Sequence, residues 1–126
     1  MISSQTIASS RGFTLLELLV VMAIVVILTG IAVPQFSAYR QRAFDLRALS
    51  DLRNLAAAEE VYFMDSESYL TCSNQECLNL PGIAALSRGV SISAQAAERS
   101  FTATASHDKG SGRSFEWDSD NGGLQE

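Results

Sequence analysis

The stretch Gly12-Phe13-Thr14-Leu15-Leu16-Glu17-Leu18-Leu19 continues as VVMAIVVILTGIAV over residues 20–33 and meets Pro34. It decides how the chain is organised. Between Phe13 and Val33 the only charge is Glu17. As a helix, roughly 20 apolar residues are long enough to cross a bilayer. A core helix of that length would show a polar face, and this one hardly does. The run therefore predicts a single membrane-spanning helix over residues 13–34.

Outward on the N-terminal side, residues 1–12 are mostly polar, with Ser3, Ser4, Gln5, Ser9, Ser10 and Arg11 before Gly12. An ordinary secretory signal places its apolar stretch before a small-residue cleavage site. Here the order is reversed, so a cut after Gly12 leaves the whole apolar helix on the mature chain. Arg11 is the one positive charge on that flank and favours a cytoplasmic N-terminus.

The combination of Gly12, Phe13 and a lone intramembrane Glu17, followed by the apolar run to Pro34, closely resembles the class III signal of type IV pilins and the pseudopilins of type II secretion. The resemblance implies cleavage by a prepilin peptidase between Gly12 and Phe13, and N-methylation of Phe13 as the new first residue. It also implies an inner-membrane assembly platform as a further partner. An ionisable group inside a bilayer costs about 2.5–3.5 kcal/mol at mid-helix and less near the end. The amine of Phe13 on a neighbouring subunit would be a suitable partner for Glu17, turning that cost into an assembly register.

On the C-terminal side, Pro34 removes a backbone donor and crowds the carbonyl one turn back, while Gly30 loosens the same turn. A kink or weak point is expected at Gly30 and Pro34. Over residues 35–64 neither Gly nor Pro occurs and helix formers dominate. On a helical wheel Phe36, Tyr39, Ala43, Leu46, Ala57, Val61 and Met64 share one side. Phe44, Leu52, Leu55, Ala56 and Phe63 share roughly the opposite one. Arg40, Arg47 and Asp51 mark one seam between the stripes; Arg42, Arg53 and Glu60 mark the other. Arg47 and Asp51 stand four apart, a spacing that stabilises helices modestly. Two apolar stripes predict that one packs on a head domain and the other on neighbouring subunits.

Residues 65–126 form the predicted head. Asp65 to Pro81 is rich in Ser, Asn and Glu and reads as a loop carrying Cys72 and Cys77. In an extracytoplasmic segment this pair is expected to form a disulfide closing a short loop; a metal site would need a matching Cys or His pair. Val90, Ile92 and Ala94 then alternate with serines, Phe101, Ala103 and Ala105 with threonines, and Phe115 and Trp117 flank Glu116. Period-two patterning predicts about three half-buried antiparallel strands, with Lys109 to Gly112 as a turn. The fold class is α+β: a long N-terminal helix packed on a small antiparallel sheet, the ladle shape that the resemblance also implies.

Little here suggests catalysis. His107, the only histidine, ends a strand with no nucleophile placed beside it and is expected at the surface. Asp118 and Asp120 lie in an acidic turn with Asn121 and Gly122, a weak calcium candidate that lacks the EF-hand spacing. Net charge is −5, or −6 without Arg11 (8 basic against 14 acidic residues), a poor match for nucleic acid as the main ligand. The expected function is a structural subunit of a type IV pilus, made in the bacterial inner membrane and displayed outside the cell for adhesion or twitching motility. A pseudopilin of a periplasmic secretion piston is the alternative, and a DNA-uptake minor pilin using Arg40, Arg42, Arg47 and Arg53 a more distant one.

Overall fold

The computed structural model describes residues 12–125. The chain divides after Phe36 into two units. Helix α1 covers Leu15–Ser66, 52 residues. In the first unit every described residue is exposed, and its helical stretch is long and apolar enough to cross a membrane. The helix assignment passes through Gly30 and Pro34 without a break. Pro34 still has no N–H to offer the carbonyl one turn back. Thr29 satisfies its own hydroxyl locally, donating to the Val25 carbonyl at 2.6 Å.

The second unit is the head. After α1 come β1 (Cys72–Ser73), a 3-10 helix (Asn74–Asn79), β2 (Val90–Ala96), β3 (Phe101–His107), β4 (Ser114–Asp118) and β5 (Gly123–Gln125). The five strands form one antiparallel sheet in the order of the chain. The register sets Ala94 opposite Ala103 and Ala105 opposite Phe115, and Trp117 lies between Ala103 and Leu124. One face carries Ile92, Ala94, Phe101, Ala103 and Ala105, all buried against Ala48, Leu52, Leu55, Ala56 and Ala58 of α1. The small alanines of β2 and β3 let the helix lie close to the sheet; Phe101, Leu52 and Leu55 supply the bulk.

The structure differs from the sequence reading at four points. The sheet has five strands rather than about three, because β1 and β5 are too short to show alternation. Residues 65–81 are not all loop: Cys72 lies in β1 and Cys77 in the 3-10 helix, with their sulfurs bonded at 2.09 Å. His107 is buried, its ring 4.6 Å from that of Phe44, and Lys109 N donates to its Nδ1 at 3.0 Å. Asp51 does not pair with Arg47; both its oxygens accept from Ser87.

Helix α1 ends where Glu67 takes a left-handed φ of 54°, its N–H donating to the Phe63 carbonyl at 2.8 Å. Three carboxylates on the packed side of the helix then fasten the connections of the head. Glu59 accepts from Leu70 N at 2.9 Å, just before β1. Asp51 accepts from Ser87 N at 2.8 Å and Ser87 Oγ at 3.0 Å, just before β2. Asp45 accepts from Ser111 N at 3.0 Å and Ser111 Oγ at 2.6 Å, in the turn between β3 and β4. Each satisfies a loop amide that the sheet leaves without a partner.

Candidate functional site

The site with functional character is the N-terminal end of α1. Thr14 caps the helix: Glu17 N donates to Thr14 Oγ1 at 3.2 Å, and Glu17 Oε2 accepts from Thr14 N at 2.8 Å and Thr14 Oγ1 at 3.0 Å. This reciprocal capping box holds the carboxylate over the first turn, beside Phe13 in sequence. Phe13 is 87% exposed. From there a continuous apolar surface runs around the helix through Leu16, Leu19, Met22, Val26 and Ile31. So large an apolar surface does not persist in water, and lipid or other chains must cover it.

The head carries a second uncovered surface. Leu52, Leu55 and Ala56 are buried, and the stripe that faces away from them, Tyr39, Ala43, Leu46, Ala57, Val61 and Met64, is exposed. Of the two stripes read from the sequence, one packs on the sheet and the other is open.

Comparison with known proteins places the chain in a family. A family model described as "Prokaryotic N-terminal methylation motif" matches residues 7–33. The "Type IV wide pilus major component PilA4" of Thermus thermophilus is 35% identical over 103 residues, covering 81% of this chain and 77% of that protein. The chain belongs to the type IV pilin superfamily. The superfamily also takes in the pseudopilins: the "Type II secretion system core protein G" of Escherichia coli is 37% identical over 81 residues, covering 60% of this chain and 55% of that protein. The "Type IV major pilin protein PilA" of Myxococcus xanthus is 36% identical over 66 residues, covering 52% of this chain and 30% of that protein.

Within this pilin-type chain the site residues read from the sequence fall in three places. Gly12, Phe13 and Glu17 stand together at the head of α1, whereas residues 1–11, including Arg11, lie outside the described residues. Cys72 and Cys77 are joined far along the chain, in the head. Asp118 ends β4, and Asp120 lies in the turn between β4 and β5. The Asp118 carboxylate accepts from Asp120 N at 2.9 Å and from Asn121 Nδ2 at 2.6 Å, the Asn121 contact doing most to hold its pKa below the usual range. Among the described residues no group of three or more His, Cys, Asp or Glu side chains is arranged to hold a metal.

Sequence reasoning missed two sets of residues in the pilin-type chain. Thr14 with Glu17 spells the capping-box pattern, Thr followed three residues later by Glu ahead of an apolar run, so that signal was present. Asp45, Asp51 and Glu59 carry no comparable signal, since their partners lie 66, 36 and 11 residues away.

Proposed function

We propose that this chain is a structural subunit of a type IV pilus filament that polymerises through its N-terminal helix. The observation that carries the reading is the exposed apolar helix headed by Phe13 and Glu17, in a chain that resembles one named major pilus component over 77% of that protein's length. In this reading a prepilin peptidase cuts after Gly12 and methylates Phe13. The helix then waits in the inner membrane, and an assembly platform adds the subunit to the filament base. Glu17 keeps one oxygen, Oε1, outside the capping box and can offer it to the Phe13 amine of a neighbour. A charge so partnered loses most of its cost in an apolar surround. Gly30 and Pro34 are the weak point at which the helix can adjust during packing, since Pro34 leaves the preceding turn one hydrogen bond short.

The similarity to core protein G keeps a second reading open, a pseudopilin confined to the envelope. Substituting Glu17→Ala tests the assembly claim. Cleavage after Gly12 should continue and the chain should accumulate in the membrane, while sheared filaments fall to a small fraction of wild type. Normal filament yield from that variant would remove Glu17 from assembly.

A further inference from the structure

Between α1 and the open edge of the sheet lies a groove of about 440 Å³. Its apolar lining comes from Leu46 and Leu49 of the helix and from Phe115 and Leu124 of β4 and β5. Three guanidinium groups surround it: Arg42, Arg53 and Arg113. All three are exposed, and among the described residues none has a carboxylate within ion-pairing distance. Asp45 also borders the groove, but Ser111 holds both of its oxygens.

We propose that this groove receives the end of α1 from a second copy of the chain. The occupant is chosen by chemistry. At the end of α1, Met64 is 79% exposed, and Asp65 and Glu67 stand exposed beside it. The last turn contains no basic residue, so the negative end of the helix dipole adds to their charge. An apolar knob flanked by acids meets an apolar hollow rimmed by arginines. Glu60, a turn earlier, accepts from the Tyr69 hydroxyl at 3.3 Å and is not assigned to the contact.

The chain cannot make this contact with itself. Leu46 and Met64 lie on the same rigid helix about 18 residues apart, roughly 27 Å at 1.5 Å per residue. Donor and acceptor surfaces are therefore different patches, and such a contact propagates as an open filament when it closes into neither a ring nor a reciprocal pair. This inference rests on the filament reading above and gives it a head-to-head contact beyond the N-terminal helix. Along residues 37–67 the exposed arginines fall at 40–53 and the exposed acids at 60–67, because the two aspartates among the arginines, Asp45 and Asp51, are turned inward to serine ligands.

The test uses full-length protein in sheared filaments. Arg113→Lys places an amine on the groove while keeping its charge, and a carbodiimide then joins that amine to any carboxylate in contact. The expected product is a covalent dimer in which the peptide carrying residue 113 is linked to the one carrying Asp65 or Glu67. Charge reversal gives the second measurement. Arg53→Glu with Arg113→Glu, or Asp65→Arg with Glu67→Arg, should each cut filament yield by about tenfold or more, with subunit level and the Cys72–Cys77 disulfide unchanged. All four changes together should restore yield to within about threefold of wild type, since the pairing is re-formed with its signs exchanged. A link to another carboxylate, including Glu126 within one copy, would overturn the proposal. So would full assembly of either reversed pair, or a fourfold variant no better than the pairs. Absence of this subunit from wild-type filaments would instead count against the pilus reading.

Discussion

Replacing Asp51 with alanine probes how the head is held to its helix. Asp51 is buried, and its carboxylate takes two hydrogen bonds from Ser87, at 2.8 Å from the backbone N and 3.0 Å from Oγ. Hydrogen bonds to a charged group contribute about 1.5–3 kcal/mol each, and two that share one residue are not additive. Ser87 is only half-buried and regains some water when the carboxylate goes. Asp51→Ala should therefore cost about 2–4 kcal/mol, a large share of the roughly 5–15 kcal/mol that holds a domain together. For a head of this size that corresponds to a fall of about 10–20 °C in Tm. Asp51→Asn keeps an acceptor for Ser87 N and should lose about half as much. Asp65→Ala is the control: same residue type, same helix, but exposed and with no hydrogen-bond partner among the described residues. It should stay within about 0.5 kcal/mol of wild type. The assay is urea unfolding of the full chain in detergent, followed by the fluorescence of Trp117, the single tryptophan, which packs against the core. If Asp51→Ala unfolds at the same urea concentration as Asp65→Ala, the carboxylate tie does not stabilise the head.

Two further predictions use the other ties. Glu59 is fully buried, and burial pushes its pKa above the usual 4.5, only partly offset by the Leu70 N–H. Its folded pKa lies above the unfolded one, so its contribution is fully present below about pH 4.5 and is lost as pH rises through the folded value. Urea midpoints of wild type minus Glu59→Gln should therefore fall between pH 4.5 and 7; a flat difference would contradict it. At Gly110, an added Cβ would collide with Asp45 Oδ1 and approach the His107 carbonyl at 3.2 Å. Gly110→Ala should cost about 2 kcal/mol in wild type and clearly less in an Asp45→Ala background, a coupling that a double-mutant cycle reads directly.

The parts of this protein legible in the sequence are those set by short-range pattern. The uninterrupted apolar run with its single Glu17 marks the helix and its environment, and the alternation in residues 90–94 and 101–105 marks the central strands. His107 continues that inward period from Phe101 through Ala105, so its burial could have been read from its place in the strand. The edge strands could not: two residues at Cys72–Ser73 and three at Gly123–Gln125 contain no full period. The carboxylates were illegible for another reason. Asp51 in a run of Arg47, Asp51 and Arg53 reads as one more solvated helix charge, and only the folded chain brings Ser87 to it. That same burial uncovers the basic band at Arg40–Arg53, hidden in the sequence by interleaved acids.

The central claim, that the chain is a processed and polymerised pilus subunit, is tested most directly by mass spectrometry of filaments sheared from the outer cell surface. This chain should dominate the fraction, with an N-terminal peptide that begins at N-methylated Phe13. The same terminus found only in envelope fractions would favour the pseudopilin reading. An exported chain that still carries residues 1–12, or one cut elsewhere, would contradict the account.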